Sequence, residues 1–525
     1  MILLPKWLRF LIIFVLVIGI CFRFANLGNK VYWIDESYTS LRVSGYTESE
    51  FIQQVGDGQI RRIKDLQKYQ RINSEKSVFD TVKGLALEEP QLAPLYFVAT
   101  RFWVQLFGDS VAVTRSLSAV FSVLALPCMY WLCLELFESS LTAWLAVVIL
   151  AISPFQIVYA QEARPYSLFV MVILLSSAAL LRGMRLKNNR SWVIYAATVA
   201  VGLYSHLLFA LIAIGHGIYV VIVENFRLKK TVISYVLASI AGLMIMSPWA
   251  IVFINNSQNA SQKTSWQSLR RPVSELIKNW ILNISTQFFD VGAYWALPRL
   301  YMLLTLPVIL TILILIGYSF YLLLTQKEIR VWLFVITLTF VTVAIFLPAD
   351  LIFGGIRSIN TRYMIPCYLG MQISVAYFFT TVIIIQSQKL WRLALVVLLS
   401  IGIMSDCLYL PAETWWNKER AFINISLART INSASKPLLV ADFSVYSVDT
   451  IGILLGLSYQ IDENAKLLVF SAPKTVEIPN NFNEIFLYDI SPKLKTQIEK
   501  NDRYRIQKVS TLKDGGMLLE KIVDR

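Results

Sequence analysis

Long apolar segments recur along the chain and are separated by short polar or basic connections. A helix needs about 20 mostly apolar residues to cross a bilayer, so segments of this length predict membrane spans. Length and flanking charge together give about eleven such segments. The predicted spans are residues 8–25, 111–134, 141–159, 164–182, 192–204, 206–224, 232–253, 300–324, 331–347, 363–385 and 391–410. The pattern predicts a polytopic α-helical membrane protein.

Lysine and arginine are concentrated in four connections between the predicted spans. Loops with such an excess stay on the cytoplasmic side. We therefore predict a multi-pass protein of the inner (plasma) membrane, with its amino terminus in the cytoplasm and the other loops outside. The basic connections are residues 182–190, 227–230, 327–330 and 389–392.

One apolar segment, residues 94–107, is short for a span and carries Arg101. Counting it as a span would move every basic connection to the outer side. We predict instead an amphipathic helix that lies along the outer membrane surface, with a short tilted span as the alternative. The first outer loop then covers residues 28–110 and is long enough to carry membrane-lying helices.

The pattern changes after residue 410, where short β-rich runs alternate with helical or turn stretches. We predict a membrane domain over residues 1–410 and a small C-terminal α/β domain over residues 411–525, on the outer (periplasmic) face. The predicted strands are residues 438–441, 466–470, 484–488, 504–509 and 517–521.

Composition agrees with a membrane protein and narrows its chemistry. The 525 residues are 56% hydrophobic and 16% charged, with a mean hydropathy of +0.58. Much of the +14 net charge lies in the short basic connections, so it orients spans and does not predict a nucleic-acid partner. The five cysteines and two histidines show no spacing typical of metal ligands. We therefore predict a metal-independent protein without a cofactor.

Asp35 and Glu36 form a carboxylate pair just after the first predicted span. Adjacent residues of a helix point about 100° apart, so one of the two, and not both, is expected to face a substrate. The structural alternative is that Asp35 caps a helix beginning at Glu36 or Ser37.

Other charged residues stand where predicted spans meet the outer surface. Glu162 and Arg164 lie between the third and fourth spans, Arg362 where the third outer loop re-enters the membrane, and Arg115 at the start of the second span. Charges at this depth pair or line polar cavities. Glu162 and Arg164 could form a simple structural pair. Each arginine can bind a phosphate bidentately or extend toward lipid headgroups. His206 lies near an outer turn and could contact an acceptor or be structural.

Several motifs together resemble a known family. They are the Asp35-Glu36 pair, Q-L-A-P-L-Y-F at residues 91–97, F-G-x-S-x-x-x-x-R-x-x-S at 107–118, S-P-F-x-x-x-x-x-Q-E-A-R-x-Y at 153–166, and R-Y at 362–363. The sequence resembles the GT-C membrane glycosyltransferases of the bacterial family 39 type, which are related to protein O-mannosyltransferases and lipid A aminoarabinose transferases. The resemblance covers about residues 8–385 and is strongest over 93–209.

The resemblance implies an inverting hexosyl- or pentosyltransferase. Its donor would be a polyprenyl-phosphate sugar and its acceptor a hydroxyl of a protein, lipid or glycan, at the outer face of the membrane. Asp35 would be the catalytic base, and Glu36 would orient it or the acceptor. Arg164 and Arg362 would hold the donor phosphate, with Arg115 as a further candidate. Residues expected to contact the acceptor or support the site are Glu162, Tyr166, Tyr96, His206 and Tyr363.

One departure from the family pattern leaves the activity open. Many relatives read H-P-P-L-Y-Y where this chain has L-A-P-L-Y-F at residues 92–97, so the usual histidine is replaced by Leu92. An altered acceptor or a weakened enzyme would follow. Two further alternatives are a lipid-linked sugar flippase or transporter and a noncatalytic membrane scaffold. The candidate residues gather on one predicted face of the membrane, which favours transfer over transport.

Overall fold

The computed structural model of the chain describes residues 5–292, 299–385, 389–443, 448–471, 479, 481–500, 504–510 and 519–524. The chain forms two compact units. The first unit comprises Met1–Leu27, Glu89–Tyr96 and Arg115–Ala412. The second unit comprises Gly28–Glu88, Phe97–Thr114 and Glu413–Arg525.

Helices account for most of the described chain. In chain order they are α1 (Lys6–Phe24), α2 (Ile34–Ser44), α3 (Glu48–Val55), α4 (Val78–Glu88), α5 (Leu95–Phe107), α6 (Val111–Phe137), α7 (Ser140–Ala151), α8 (Pro154–Ala160), α9 (Tyr166–Leu186), α10 (Asn189–Ser205), α11 (Phe209–Val223), α12 (Lys230–Asn255), α13 (Ser257–Lys263), α14 (Val273–Ser285), α15 (Arg299–Gln326), α16 (Ile329–Phe353), α17 (Ile365–Thr380), α18 (Lys389–Tyr409), α19 (Phe422–Asn432), α20 (Val448–Leu457) and α21 (Pro492–Glu499). Short 3₁₀ helices cover Ile63–Gln70, Ser265–Ser268, Thr361–Met364 and Trp416–Ala421, and a π-helical turn covers Thr381–Ile385.

The membrane-spanning character of the first unit agrees with the sequence pattern. Within the described residues, eight helices are long and apolar enough to cross a membrane, and a ninth results if α7 and α8 are counted as one bent span. Helices α10 and α11, with 17 and 15 residues, occupy the predicted spans 192–204 and 206–224. The prediction of a polytopic α-helical membrane protein is confirmed, and each predicted span coincides with helix.

The predicted span 141–159 is broken, with α7 and α8 meeting at 59°. The break falls at Ile152 and Ser153, immediately before Pro154. Proline lacks a backbone N–H and disfavours helical geometry in the residue before it, and Ser153 is extended with φ −67° and ψ 119°. The length of the apolar segment correctly predicted where the span lies, but Pro154 divides it into two helices.

A six-stranded sheet organises the second unit. Its strands are β1 (Asp57–Arg62), β2 (Pro437–Asp442), β3 (Lys466–Phe470), β4 (Glu484–Tyr488), β5 (Tyr504–Ser510) and β6 (Leu519–Asp524). They are ordered β1-β3-β2-β4-β6-β5. Strands β2, β3 and β4 run parallel, whereas β1, β5 and β6 pair antiparallel with their neighbours. The small C-terminal sheet of the predicted fold is therefore present. Residues 517 and 518 of the last predicted strand lie outside the described residues.

Both faces of this sheet are buried by helices. Along β2, Leu439 and Ala441 point into one core, which also contains residues of α2, α3, α19 and α20. Leu438 and Val440 point the opposite way, into a core with α21. Alternate residues of a strand face opposite sides, so a strand buried on both sides is continuously apolar.

The first outer loop belongs to the same compact unit as the C-terminal segment. The predicted division had placed residues 28–110 with the membrane domain and 411–525 apart from it. The reason for the different grouping is that β1, from the loop, pairs with β3, with Arg61 opposite Leu467. The loop also contributes Phe51 and Leu66 to the core beneath the sheet.

Helix α5, formed from the short apolar segment, has two distinct faces. Arg101 is buried, and its Nη1 donates to the Val43 carbonyl at 2.6 Å. Phe102, Leu106 and Phe107 are exposed. The helix is amphipathic, as its sequence predicts, and its position on the membrane surface stays a prediction.

Candidate active site

The carboxylate pair occupies the first turn of α2, in the second unit. Trp33 is the N-cap of this helix, and its side chain makes no capping bond. Asp35 is therefore inside the helix, so the alternative in which it caps the helix is excluded. The amino-terminal turn favours negative charge because the helix dipole places partial positive charge there. Asp35 is half-buried, whereas Glu36 is wholly buried.

Glu36 is held by a lysine from the C-terminal segment. The Lys418 ammonium donates to Glu36 Oε2 at 2.9 Å, and both side chains are 0% exposed. The same ammonium lies 5.9 Å from the centroid of the Trp33 ring. A buried charge is tolerated when an opposite charge and hydrogen bonds compensate it. Glu36 is thereby engaged in the interior, and Asp35 is the carboxylate with solvent access.

The second cluster lies in the first unit, at the turn between α8 and α9. The Gln161 side-chain amide donates to the carbonyls of Phe22 and Ala25, at 2.6 and 2.8 Å. These bonds anchor the turn to the end of α1. The Arg164 backbone N–H donates to the Glu162 carbonyl at 2.7 Å, which closes the bend. Glu162 is wholly buried and Arg164 is 7% exposed.

Two guanidinium groups flank one tyrosine in this cluster. Arg362 Nη1 donates to the Tyr166 hydroxyl at 2.9 Å, and its Nε donates to Asn360 Oδ1 at 3.0 Å. The Arg362 guanidinium also lies over the Tyr166 and Trp266 rings, 5.8 and 5.7 Å from their centroids. The Arg164 guanidinium is 6.0 Å from the Tyr166 ring centroid. Two cations on one ring form a site suited to an anion, because planar guanidinium groups bind phosphate oxygens bidentately.

His206 joins the same cluster from the connection between α10 and α11. Its ring stacks on Phe169 with centroids 4.7 Å apart, and its Nδ1 accepts from the Leu208 N–H at 3.2 Å. Burial, followed by the charges of Arg164 and Arg362, lowers the pKa of His206 from its ordinary value of 6.5 to about 3. The ring is therefore neutral at pH 7, and with Nδ1 accepting, its Nε2 carries the proton.

A chain of hydroxyl groups supports the turn from behind. The Ser118 hydroxyl donates to the Arg164 carbonyl at 3.2 Å. The Tyr96 hydroxyl lies 2.7 Å from Ser118 Oγ and, because the serine proton is already engaged, acts as the donor. Tyr96 is thus a supporting residue of the turn, connected to Arg164 through Ser118.

Two other predicted residues have structural contacts. Arg115 is wholly buried, and its Nη1 donates to the Leu27 carbonyl at 2.7 Å. The Tyr363 hydroxyl accepts from the Gln267 side-chain amide at 2.7 Å. Neither contact tests a role in donor binding, so those roles stay predictions.

The predicted residues therefore divide between the two units. The first unit brings together Arg164, Tyr166, His206 and Arg362, and it contains Glu162, Tyr96, Arg115 and Tyr363. The second unit holds Asp35 and Glu36. Among the described residues, no group of three or more histidines, cysteines or carboxylates is arranged to hold a metal ion.

Three residues with clear contacts in these clusters were missed by sequence reasoning. Asn360 precedes Arg362 by two positions, so a search for loop amides near the arginine could have found it. Trp266, whose ring lies 5.7 Å from the Arg362 guanidinium, is 96 positions before it in the chain. Lys418 had no local signal, because it is 382 positions from Glu36.

Comparison with known proteins identifies the fold. Residues 89–252 match the family model described as dolichyl-phosphate-mannose-protein mannosyltransferase. The solved structure of ArnT from Cupriavidus metallidurans bound to undecaprenyl phosphate aligns with a TM-score of 0.53 and 12% identity, over 98% of each chain. Its apo structure aligns with a TM-score of 0.55 and 12% identity, over 98% of this chain and 97% of that one. No curated protein matches the sequence significantly.

These matches confirm that the chain has the GT-C fold of membrane glycosyltransferases. The family model matches less than half of the chain, over residues 89–252. Arg115, Glu162, Arg164, Tyr166 and His206 all lie inside the matched segment. Asp35 and Arg362 lie outside it.

Proposed function

We propose that the chain transfers a sugar from a polyprenyl-phosphate-linked donor to an acceptor hydroxyl, with inversion at the anomeric carbon. The observation that carries the proposal is the pair of guanidinium groups on the Tyr166 ring. Fixed cations in a partly dry site stabilise the charge that grows on a phosphate leaving group. The ArnT fold holds undecaprenyl phosphate in one solved structure, which supports the same class of lipid carrier.

The proposed reaction is a single displacement. An Asp35 carboxylate oxygen takes the proton of the acceptor hydroxyl while the acceptor oxygen attacks the anomeric carbon. The bond from that carbon to the phosphate oxygen breaks, and its electron pair stays on the polyprenyl phosphate. Arg164 and Arg362 stabilise that charge, and the neutral His206 is a candidate hydrogen-bond donor to the acceptor or donor sugar. We place the reaction on the outer side of the membrane, with the amino terminus in the cytoplasm.

The decisive experiment uses the purified full chain in lipid nanodiscs with radiolabelled undecaprenyl-phosphate sugars, both hexose and pentose, and a solubilised bacterial cell-envelope fraction as the source of acceptor hydroxyls. We expect release of undecaprenyl phosphate together with a labelled acceptor, and mass spectrometry of the co-purified lipids identifies the carrier. Movement of the intact sugar lipid across a vesicle bilayer without cleavage would overturn transfer and favour a flippase.

A matched pair of variants tests the phosphate site directly. Arg362→Gln should weaken undecaprenyl phosphate binding, measured by native mass spectrometry or by competition. Arg271→Gln is the control, because Arg271 is an exposed arginine in an ion pair with Glu275. Equal binding by both variants would exclude Arg362 from the phosphate site.

A further inference from the structure

The start of α2 is packed unusually closely against α20 in the second unit. Gly452 and Gly456 lie four residues apart and so share one face of α20. A side chain at Gly452 would place its Cβ 2.7 Å from Ile34 Cγ2, and one at Gly456 would collide with the Tyr32 carbonyl. The absence of side chains at these two glycines lets the two backbones approach. This seam is defined by Tyr32, Ile34, Gly452 and Gly456.

The C-terminal segment holds the same turn at two further points. The Val31 N–H donates to the Glu413 carbonyl at 2.8 Å. The Lys418 ammonium donates to Glu36 Oε2 at 2.9 Å in a fully buried pair. Residues of the C-terminal segment therefore contact the chain at three positions before Asp35 and at one position after it: Val31, Tyr32, Ile34 and Glu36.

We propose that Lys418 is a positioning residue for Asp35, acting through Glu36, an inference that rests on the proposed function. Successive residues of a helix are separated by about 100° of rotation. When the ion pair fixes Glu36 against the interior, the rotation of the first turn is fixed, and with it the direction of the Asp35 carboxylate. The seam at Gly452 and Gly456 prevents the turn from moving away along α20.

The burial of the pair makes this role distinct from general stabilisation. A lysine and a glutamate that are both removed from water gain little net stability compared with an apolar pair of the same shape, but they fix one geometry. Removing Lys418 takes away the opposite charge that the pair provides to buried Glu36, whereas removing both charges takes away the need for it. A variant that loses one charge of the pair should therefore differ in stability and activity from a variant that loses both charges.

The test compares four full-length proteins in nanodiscs: wild type, Lys418→Met, Lys418→Met combined with Glu36→Gln, and Lys495→Met. Lys495 is the matched control, because its ammonium lies 2.6 Å from Glu520 Oε1 in a partly buried pair of the same unit. Helix α21, which carries Lys495, packs on the sheet face opposite to α2. Sugar transfer gives kcat and the KM for the donor. Hydrogen exchange of the peptide covering residues 31–44 reports on the turn without requiring activity.

For Lys418→Met we expect kcat to fall at least about tenfold with the donor KM unchanged, because a small misplacement of a reacting group has effects of this size or larger. We also expect faster hydrogen exchange in residues 31–44. The double variant should recover part of the kcat, and Lys495→Met should match wild type in both measurements. If Lys418→Met does not fold, the double variant, which lacks both charges of the pair, provides the test. Its hydrogen exchange in residues 31–44 should still be faster than that of wild type.

Wild-type kcat with unchanged exchange in residues 31–44 would overturn the positioning role. So would a loss of donor affinity with kcat intact. A wild-type protein that transfers no sugar would instead overturn the proposed function. In that case hydrogen exchange alone decides whether Lys418 fixes the turn.

Discussion

The two clusters of candidate residues are held in place by different physical means. In the second unit, the first turn of α2 is fixed by a fully buried ion pair to a residue 382 positions away. In the first unit, Arg164 and Arg362 both lie against the Tyr166 ring, and Arg362 also donates hydrogen bonds to the Tyr166 hydroxyl and to Asn360 Oδ1. Stacking engages the faces of a guanidinium, whereas its N–H groups lie in its plane.

The difference matches the two tasks that we propose. A general base must point in one direction, because proton transfer requires a hydrogen bond of defined length to the acceptor. A phosphate site must bind the lipid carrier while the sugar is attached and after it has left. Its hydrogen-bond donors must therefore bind the phosphate group in two charge states. A buried ion pair provides the first property, and arginines on aromatic rings provide the second.

The largest expected effect is on the base. Asp35→Asn preserves the shape of the side chain but removes its ability to accept a proton. We expect kcat to fall by about 10²- to 10⁴-fold, the usual contribution of a general base, with an unchanged melting temperature. Asp65→Asn, at an exposed carboxylate paired with Arg62 in the same unit, should retain wild-type turnover. Turnover by Asp35→Asn close to wild type would mean that another carboxylate is the general base. Glu36 and Glu162 would then be tested next.

The second effect concerns the two arginines beside Tyr166, Arg164 and Arg362. Hydrogen bonds to charged groups contribute about 1.5–3 kcal/mol, so Arg362→Gln should raise the Kd for undecaprenyl phosphate roughly tenfold or more. Arg164→Gln should also raise the Kd for undecaprenyl phosphate. Binding measured at low and high salt should show a weaker salt dependence in both variants, since fewer cations contact the phosphate. If both variants bind undecaprenyl phosphate as tightly as wild type, the two arginines do not bind the donor phosphate. Their side chains would then only extend toward lipid headgroups at the membrane boundary.

A smaller effect is expected at the seam between α2 and α20. Gly456→Ala introduces a Cβ against the Tyr32 carbonyl, and such overpacking costs about 1–3 kcal/mol. Gly317→Ala is the control, because nothing lies within 4 Å of the Cβ that it adds to α15. Thermal melting followed by tryptophan fluorescence should show a lower midpoint for Gly456→Ala only. Equal midpoints would mean that the seam can open without cost.

An effect of similar size on stability, present only at acidic pH, is expected from His206. Because the pKa of His206 in the folded protein is lowered to about 3, the folded state favours the neutral ring. Its contribution to stability is complete above the ordinary pKa near 6.5 and is lost as the pH falls from there toward 3. We therefore expect the melting temperature of His206→Gln to fall less than that of wild type between pH 7 and pH 4.5. Parallel curves would show that the ring is protonated as readily in the folded protein as in the unfolded chain.

Most of the fold could be predicted because the apolar segments are long and the central strands are continuously apolar. The strands over 438–441, 466–470 and 484–488 lie inside β2, β3 and β4. The same signals failed for β1, whose sequence D-G-Q-I-R-R has only one large apolar residue. As an edge strand with exposed positions, it obtains its structure from pairing with β3 and not from its own pattern.

The site was predictable only where its residues share a local motif. Glu162, Arg164 and Tyr166 lie in one short motif and were all predicted. Asn360 was missed although it precedes Arg362 by only two positions. The half-exposed Asp35 and buried Glu36 agree with the expected separation of adjacent helical side chains. Lys418 and the two glycines of α20 act through tertiary contacts, for which a single sequence has no marker.

The pairing of β1 with β3 also sets an order of events during synthesis. Ser471 donates to the Gly56 carbonyl at the end of this pairing, across 415 positions. The partner strand of β1 is made only after all the membrane spans have left the ribosome. Contacts that are so distant in sequence form late and leave strand edges exposed in the meantime. The second unit therefore completes its sheet only after β6 has been made, and in a nascent chain that stops before β3 the edge of β1 has no partner strand.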